Sequence, residues 1–177
     1  MNKFAAALIT GCLVASTGSA QQAASASASI TIATTLYLSA TGTTVSFNTP
    51  TEADFNLGYI NSATTTSIQY AGNVRHSVVV WSSAANMTGS LGLGGAIDPV
   101  NASKAVSDLQ WSTDGGTTLT GLIASSTSAT GGKIVNQHAR GDSRATPSTV
   151  TYRMRLSYAT DTPGKYDLGF TYTIIAD

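Results

Sequence analysis

An all-β fold is predicted for this chain, specifically an antiparallel β-sandwich of the immunoglobulin-like or jelly-roll-like kind with about eight or nine strands. Short runs alternate apolar and polar side chains along most of the chain, as expected of strands with one buried face. Clusters of Gly, Asn, Asp, Ser and Pro separate these runs, and no stretch has the apolar spacing of a long amphipathic helix. One-sided alternation favours antiparallel sheets with a solvated outer face.

The first twenty residues predict a secretory signal peptide. Lys3 gives a basic start, an apolar stretch follows, and small residues occupy Gly18 and Ala20. We therefore expect a secreted protein, located outside the cell or at the cell surface, or in the periplasm or on the outer surface of a Gram-negative bacterium. The predicted division of the chain is a signal peptide at 1–20, a flexible leader at 21–29 and a single β-sandwich domain at 30–177.

The run from Ile9 to Cys12 also resembles a lipobox, which leaves lipidation of Cys12 as the alternative to cleavage after Ala20. Cys12 is the only cysteine, so cleavage after Ala20 leaves a mature chain without a thiol. The nine basic and nine acidic residues balance, which predicts no nucleic-acid partner. The apolar stretch of the signal is too short for a membrane span, and none is expected elsewhere.

Strands are predicted in order along the first half of the chain. Residues 30–38 form the first, because Ile30, Ile32, Leu36 and Leu38 share a face. A second, short strand carries Val45 and Phe47, and residues 51–66 are interpreted as a loop or irregular edge. Two strands flank Ala71-Gly72-Asn73. The later one is apolar on both faces, with Val78 and Val80 on one side and Val79 and Trp81 on the other, which indicates a central strand.

The second half begins with a glycine-rich segment, residues 83–106, interpreted as a long surface loop with one helical turn near Ala102–Val106. A hairpin is predicted from Asp108 to Leu122, and a short strand at 133–137. The last two runs are predicted to form a closing hairpin turned by Pro163-Gly164. Its two core faces consist of Val150, Tyr152, Met154, Leu156 and Tyr158, and of Tyr166, Leu168, Phe170, Tyr172 and Ile174.

The segment Ser112 to Leu119, with the sequence STDGGTTL, resembles the Asp-box, a hairpin motif, with Leu119 in place of the usual aromatic residue. Ser112, Asp114, Gly115 and Gly116 are predicted to form a structural turn. The Asp114 carboxylate can accept backbone N–H bonds across the turn, and the two glycines supply positive φ. One carboxylate does not make a metal site, and we predict no metal here.

Other motifs have both a functional and a structural interpretation. Arg140, Gly141 and Asp142 match the integrin-binding tripeptide in a predicted loop, which makes them a candidate adhesion loop or an ordinary surface turn. His76 and His138 lack acidic partners at ligand spacing and are interpreted as structural. Trp111 and Trp81 are candidates for glycan or partner contact by stacking, or for core packing. We predict no catalytic residues, no cofactor and no enzyme activity.

The carboxyl-terminal residues also carry a family resemblance. A Pro163-Gly164 turn, then Tyr166, Phe170 and Tyr172 in an alternating strand, resembles the ends of secreted bacterial β-sandwich proteins. The groups concerned are spore coat U-like and chaperone–usher pilin-like proteins, TasA-like and camelysin-like matrix proteins, WxL-type surface domains, and secreted families without assigned function. The chain departs from them in two respects, since a mature chain would lack the disulfide usual in pilins, and the Trp-x-Leu signature is absent.

The resemblance implies a structural, surface or fibre role. We therefore expect a non-catalytic structural or surface protein whose partners are copies of itself or other surface proteins, assembled by strand addition. Residues 30–38 are either the donor strand or, as we expect for an isolated chain, a strand paired within their own domain. The alternative function is a secreted ligand- or glycan-binding module.

Overall fold

The computed structural model describes residues 27–90 and 103–177. The chain divides into two compact units, Met1–Ile32 and Ala33–Asp177, and the elements described below belong to the second. The predicted signal peptide, including Cys12, lies outside the described residues, as do half of the glycine-rich segment, residues 91–102, and the first part of the leader.

The described residues contain thirteen strands, one α-helix and two short 3₁₀ turns. The helix α1 is Glu52–Leu57, and the 3₁₀ turns are Val106–Asp108 and Ser128–Thr130. The strands in chain order are β1 Leu36–Thr41, β2 Tyr59–Asn61, β3 Thr66–Gly72, β4 His76–Trp81, β5 Asn86–Ser90, β6 Ser103–Ala105, β7 Leu109–Ser112, β8 Thr120–Gly121, β9 Gly132–His138, β10 Gly141–Asp142, β11 Ser148–Arg155, β12 Lys165–Asp167 and β13 Thr171–Ala176.

These strands form three sheets with antiparallel pairing. The largest has the order β1-β3-β11-β7-β8, with β10 also on β3 and β2 also on β11. The second has the order β13-β4-β9, and the third β12-β5-β6. The predicted all-β, antiparallel, sandwich-like class is confirmed. The predicted number of strands is wrong, because several strands have only two or three residues, too few for alternation to be visible in the sequence.

The core lies between the large sheet and β13-β4-β9. Ile68 and Val150 from the large sheet, and Val78 and Val80 from β4, are almost completely buried in one continuous cluster. Burial of this kind contributes roughly 25 cal/mol per Å² of apolar surface and is the main term stabilising the fold. The predicted central position of β4 is confirmed, since it pairs with β13 on one side and β9 on the other.

The first predicted strand is shifted in the structure. The ladder begins at Leu36 and continues to Thr41, where β1 pairs with β3 within the same domain. Leu36 and Leu38 are half-buried as predicted, whereas Ile30 and Ile32 precede the strand and are 84% and 76% exposed. Alternation therefore identified the strand but not its start, because a run of small and β-branched residues continues the pattern beyond the ladder.

The segment interpreted as a loop at 51–66 instead contains α1. Thr51 caps the helix, accepting a bond from the Asp54 N–H at 3.4 Å, and the Asp54 carboxylate accepts the Thr51 N–H at 2.8 Å. This reciprocal capping box satisfies N–H groups that the first turn leaves unpaired, and Gly58 ends the helix at φ 78°. Phe55, Leu57 and Tyr59 alternate in the sequence, but the first two lie in α1 and only Tyr59 belongs to a strand, β2.

Two other predictions need correction. Residues 83–106 are not one loop, because β5 and β6 pair within them and the 3₁₀ turn begins at Val106. The short strand around Val45 and Phe47 is absent from the described structure, although both side chains pack against the core. Apolar side chains can thus reach the core from an irregular segment without joining a ladder.

The predicted closing hairpin is also wrong. β11 pairs with β3, β2 and β7 in the large sheet, while β13 pairs with β4 in the second sheet. Between them, β12 pairs with β5. Tyr172 and Ile174 do pack against the core, but across the sandwich from β11. The turn at Pro163-Gly164 therefore leads the chain between sheets.

Candidate functional site

A row of planar polar side chains crosses the large sheet where β2, β11 and β7 are neighbours. Arg153 of β11 is directly opposite Asn61 of β2 and Gln110 of β7 in the two ladders. The Arg153 Nε donates to Asn61 Oδ1 at 3.0 Å, and its Cζ lies 3.9 Å from the centroid of the Tyr59 ring. This contact with an aromatic face holds the cation in a defined place on the sheet.

A cleft of about 230 Å³ lies beside Arg153. It is closed on one side by the turn that follows β7 and on another by the segment that joins β2 to β3. Its lining is about half polar and half apolar surface with one cationic side chain, and consists of Asn61, Ser62, Thr65, Gly115, Gly116, Leu119, Thr151, Tyr152 and Arg153. We call this feature the Arg153 cleft.

Hydrogen bonds centred on Ser112 and Asp114 hold the glycine wall of the cleft. The Ser112 hydroxyl lies 2.5 Å from Asp114 Oδ1 and accepts the Gly116 N–H at 2.9 Å, and the Asp114 carboxylate accepts the Thr118 N–H at 2.9 and 3.0 Å. Gly115 and Gly116 have φ of 74° and 93°, which side chains with a Cβ rarely adopt. The turn predicted from the sequence is therefore held by several hydrogen bonds and forms this wall of the cleft.

The charge of the cleft comes from Arg153. The only acid in the turn is Asp114, whose carboxylate is already bonded to Ser112 and Thr118. The Ser112 hydroxyl, followed by the backbone N–H of Thr118, lowers the pKa of Asp114 far below its ordinary value, so it stays anionic. The lining therefore combines hydrogen-bonding groups with one cation, while the Asp114 anion is bonded within its own turn, an arrangement suited to holding a polar ligand.

The two tryptophans lie elsewhere. Trp111 is 6% exposed, and Gly132 packs so closely against its indole that a Cβ at 132 would be 2.9 Å from Cζ2. Its ring faces are therefore not open to a ligand. Trp81 is half-buried, and its indole N–H donates to the Thr173 hydroxyl at 3.2 Å. Neither residue lines the Arg153 cleft.

Arg140, Gly141 and Asp142 are exposed, and the last two form β10, which pairs with the last two residues of β3. The Asp142 carboxylate is bonded to the guanidinium and the backbone N–H of Arg144, with Nε at 2.9 Å from both oxygens. These bonds lower the pKa of Asp142 to about 2. A receptor that used this carboxylate would have to displace Arg144.

Sequence reasoning did not find the Arg153 cleft. Alternation along β11 correctly placed Arg153 on the face opposite Tyr152, but nothing in the sequence indicated that β2 would lie beside β11. Asn61 and Arg153 are 92 residues apart along the chain and meet only through this pairing. The Asp114 turn was the one local signal close to the site.

Comparison with known proteins gave no match, either among protein-family models or among curated proteins. Within residues 27–90 and 103–177, no helix is long and apolar enough to cross a membrane. The same residues contain no group of three or more His, Cys, Asp or Glu side chains arranged to hold a metal ion.

Proposed function

We propose that this protein is a secreted, non-catalytic structural protein of the cell surface that assembles with copies of itself by strand addition. The observation that carries the proposal is the exposure of Ile30 and Ile32, at 84% and 76%, immediately before β1. Ala28, Ile30, Ile32 and Thr34 alternate with small or polar residues, which is the pattern of a donor strand with one apolar face.

The acceptor in this proposal is the seam between β1 and β13. The two strands lie close together, yet no ladder joins them in the described part of the chain. β1 has the sequence LYLSAT, without the charged residue or proline that commonly protects an exposed sheet edge. An added strand would pair with such an edge through main-chain hydrogen bonds.

The side chains at this seam favour an apolar donor. Leu38 and Ala40 of β1, and Tyr172 and Ile174 of β13, are only partly buried although they pack against the core. A strand inserted beside them would remove apolar surface of both partners from water, worth roughly 25 cal/mol for each Å². The resemblance of the carboxyl-terminal strand to secreted fibre and pilin-like proteins agrees with this role.

The experiment uses the wild-type chain that begins at Gln21 and its Ile30→Asp/Ile32→Asp variant, and compares their assembly by sedimentation and electron microscopy at high concentration. The wild-type chain should form oligomers or fibres and the variant should stay monomeric, because charged side chains cannot occupy the apolar seam. Leu57→Asp is the matched control, since Leu57 is 64% exposed on α1 and outside the donor segment. A monomeric wild-type chain would reject the proposal.

A synthetic peptide of residues 23–35 separates strand addition from non-specific association. The peptide should bind the domain and stop growth, whereas the same peptide with both isoleucines changed to Asp should not. Equal inhibition by the two peptides would contradict a role for the apolar face of the donor.

The Arg153 cleft favours a second candidate function, a ligand- or glycan-binding module. Its hydroxyl and amide lining with one cation is suited to a hydroxyl-rich ligand, especially one with a carboxylate. Glycan-array binding followed by titration should show loss of binding in Arg153→Ala but not in Arg155→Ala, the next outward-facing arginine on β11. A blank array with correctly folded protein would reject this candidate.

A further inference from the structure

A pair of histidines lies together at the edge of the core, on neighbouring strands. His76 of β4 is directly opposite His138 of β9, and their ring centroids are 5.3 Å apart. Tyr70 packs edge-on against both rings. His76 is completely buried, whereas His138 is partly exposed, so solvent reaches the pair only through His138.

Backbone contacts determine which nitrogen of each ring carries hydrogen. His76 Nδ1 lies 2.9 Å from the Val74 carbonyl oxygen, and His138 Nδ1 lies 2.7 Å from the Ala139 carbonyl oxygen. A carbonyl oxygen only accepts, so Nδ1 is the donor in both rings. In the neutral imidazoles the lone pair is therefore on Nε2 in each case. Metal-binding histidines are commonly oriented in this way, with the other nitrogen donating to a carbonyl.

The Nε2 atoms are only partly satisfied. His138 Nε2 has the Ser143 hydroxyl at 3.3 Å, and His76 Nε2 has no hydrogen-bond partner among the described residues although it is buried. Buried acceptors are normally paired, so an orphaned one needs an explanation. Gly72 leaves room for the His76 ring, because a Cβ at 72 would be 2.7 Å from His76 Nδ1.

We propose that His76 and His138 bind one late first-row divalent cation, Cu²⁺, Ni²⁺ or Zn²⁺, through their Nε2 atoms. Two imidazoles that share such an ion through Nε2 at roughly 2.0–2.1 Å have ring centroids about 5 Å apart, so the 5.3 Å between these two rings is compatible with a shared ion. Imidazole nitrogen favours these ions over Mg²⁺ and Ca²⁺. The protein supplies two nitrogens, and water that enters beside the partly exposed His138 completes the coordination.

The test is a calorimetric titration of the metal-free mature chain with Cu²⁺, Ni²⁺, Zn²⁺ and Mg²⁺ at neutral pH. We expect one ion per chain for the first three metals and no binding of Mg²⁺. His138→Gln, at the partly exposed position, should weaken binding by at least about tenfold. Gly72→Ala keeps both histidines but displaces the His76 ring, and should weaken binding as well.

Nitrogen NMR of the histidine rings identifies the binding atoms. Addition of Zn²⁺ should shift both Nε2 resonances strongly and leave both Nδ1 resonances bonded to their carbonyls. Absence of binding by the wild-type chain, or equal affinity in His138→Gln, overturns the proposal. His76→Gln is a supporting variant only where circular dichroism shows it folded, since its buried position makes it sensitive, and His138→Gln decides in either case.

Discussion

The hydroxyl groups of Tyr152 and Tyr172 hydrogen-bond to each other across the interior of the sandwich. Tyr152 is on β11 in the large sheet and Tyr172 is on β13 in the second sheet, so this contact joins the two layers. The Tyr152 hydroxyl also bonds to Thr66 at 2.8 Å. β11 and β13 therefore meet through their side chains and not through a hairpin ladder.

This contact predicts alkaline instability. Burial raises the pKa of both Tyr152 and Tyr172 above the ordinary 10.0. Their contribution to the free energy of unfolding is thus complete below pH 10 and lost as the pH rises above it, with a limiting slope of about 1.4 kcal/mol per pH unit for each group. The free energy of unfolding is measured in urea at a series of pH values above 10. Its decrease per pH unit in Tyr172→Phe should be roughly half of that in the wild type.

Tyr158→Phe is the control for that measurement, because Tyr158 is 63% exposed. The free energy of unfolding of Tyr158→Phe should decrease with pH as steeply as that of the wild type. An equally steep decrease in Tyr172→Phe and the wild type would show that Tyr172 is not part of the alkaline transition.

Removal of the last strand should abolish folding. A chain that ends at Ala159 lacks β13, which leaves β4 without one partner and removes Phe170, Tyr172 and Ile174 from the core. The loss of several buried side chains, each worth about 2–5 kcal/mol, exceeds the stability of an ordinary domain. Circular dichroism should show no cooperative unfolding, whereas a chain that begins at Ala33 should unfold cooperatively. A soluble, folded chain ending at Ala159 would contradict the core role of β13.

The buried pair of Lys104 and Asp161 should be sensitive to loss of the acid. Lys104 Nζ lies 2.6 Å from Asp161 Oδ1, and both side chains are at most 10% exposed. In Asp161→Asn the Lys104 ammonium keeps only the Asp108 carboxylate, at 3.5 Å, as an acidic partner. The free energy of unfolding, measured in denaturant, should fall by about 3 kcal/mol. Asp167→Asn is the control, since its pair with Lys165 is exposed and worth at most about 1 kcal/mol. Equal losses of unfolding free energy in Asp161→Asn and Asp167→Asn would contradict a larger contribution from the buried pair.

The Asp114 turn should contribute to stability at neutral pH and lose that contribution in acid. The Ser112 hydroxyl and the Thr118 N–H lower the pKa of Asp114, so its contribution is present above the unfolded value of about 3.8 and disappears as the pH falls below it. Asp114→Asn should be less stable at pH 7 and should lose less stability between pH 5 and 2 than the wild type. If the free energy of unfolding fell equally with pH in the wild type and in Asp114→Asn, the Asp114 turn would not be a stabilising element.

Close packing of Gly132 on Trp111 predicts a steric effect. Gly132→Ala places a Cβ 2.9 Å from the indole and should cost about 1–3 kcal/mol in thermal or denaturant unfolding. Gly141→Ala is the matched control, because its nearest contact is a backbone oxygen at 3.9 Å. No difference between the variants would indicate that the Trp111 ring moves freely.

Much of the strand content was predictable. Strong alternation located β3, β4, β9, β11 and the β7–β8 hairpin, because a residue's side of a strand follows from its position alone. The sequence also contains the capping pair of α1 at Thr51 and Asp54, but the Asp, Asn and Gly residues of this segment are typical of a loop, and the helix was not predicted. Strands of two or three residues gave no signal, since their ladders are formed by contacts with distant segments.

The sequence by itself determined the all-β class and which side chains of the long strands face the core. Only the tertiary structure decided which strands pair, that β11 and β13 belong to different sheets, and that Arg153 meets Asn61 and His76 meets His138. Alternation specifies the face of a strand, but main-chain N–H and C=O groups are the same at every residue and do not identify a partner. Partner choice is settled when the whole core packs, and the candidate sites are consequences of that choice.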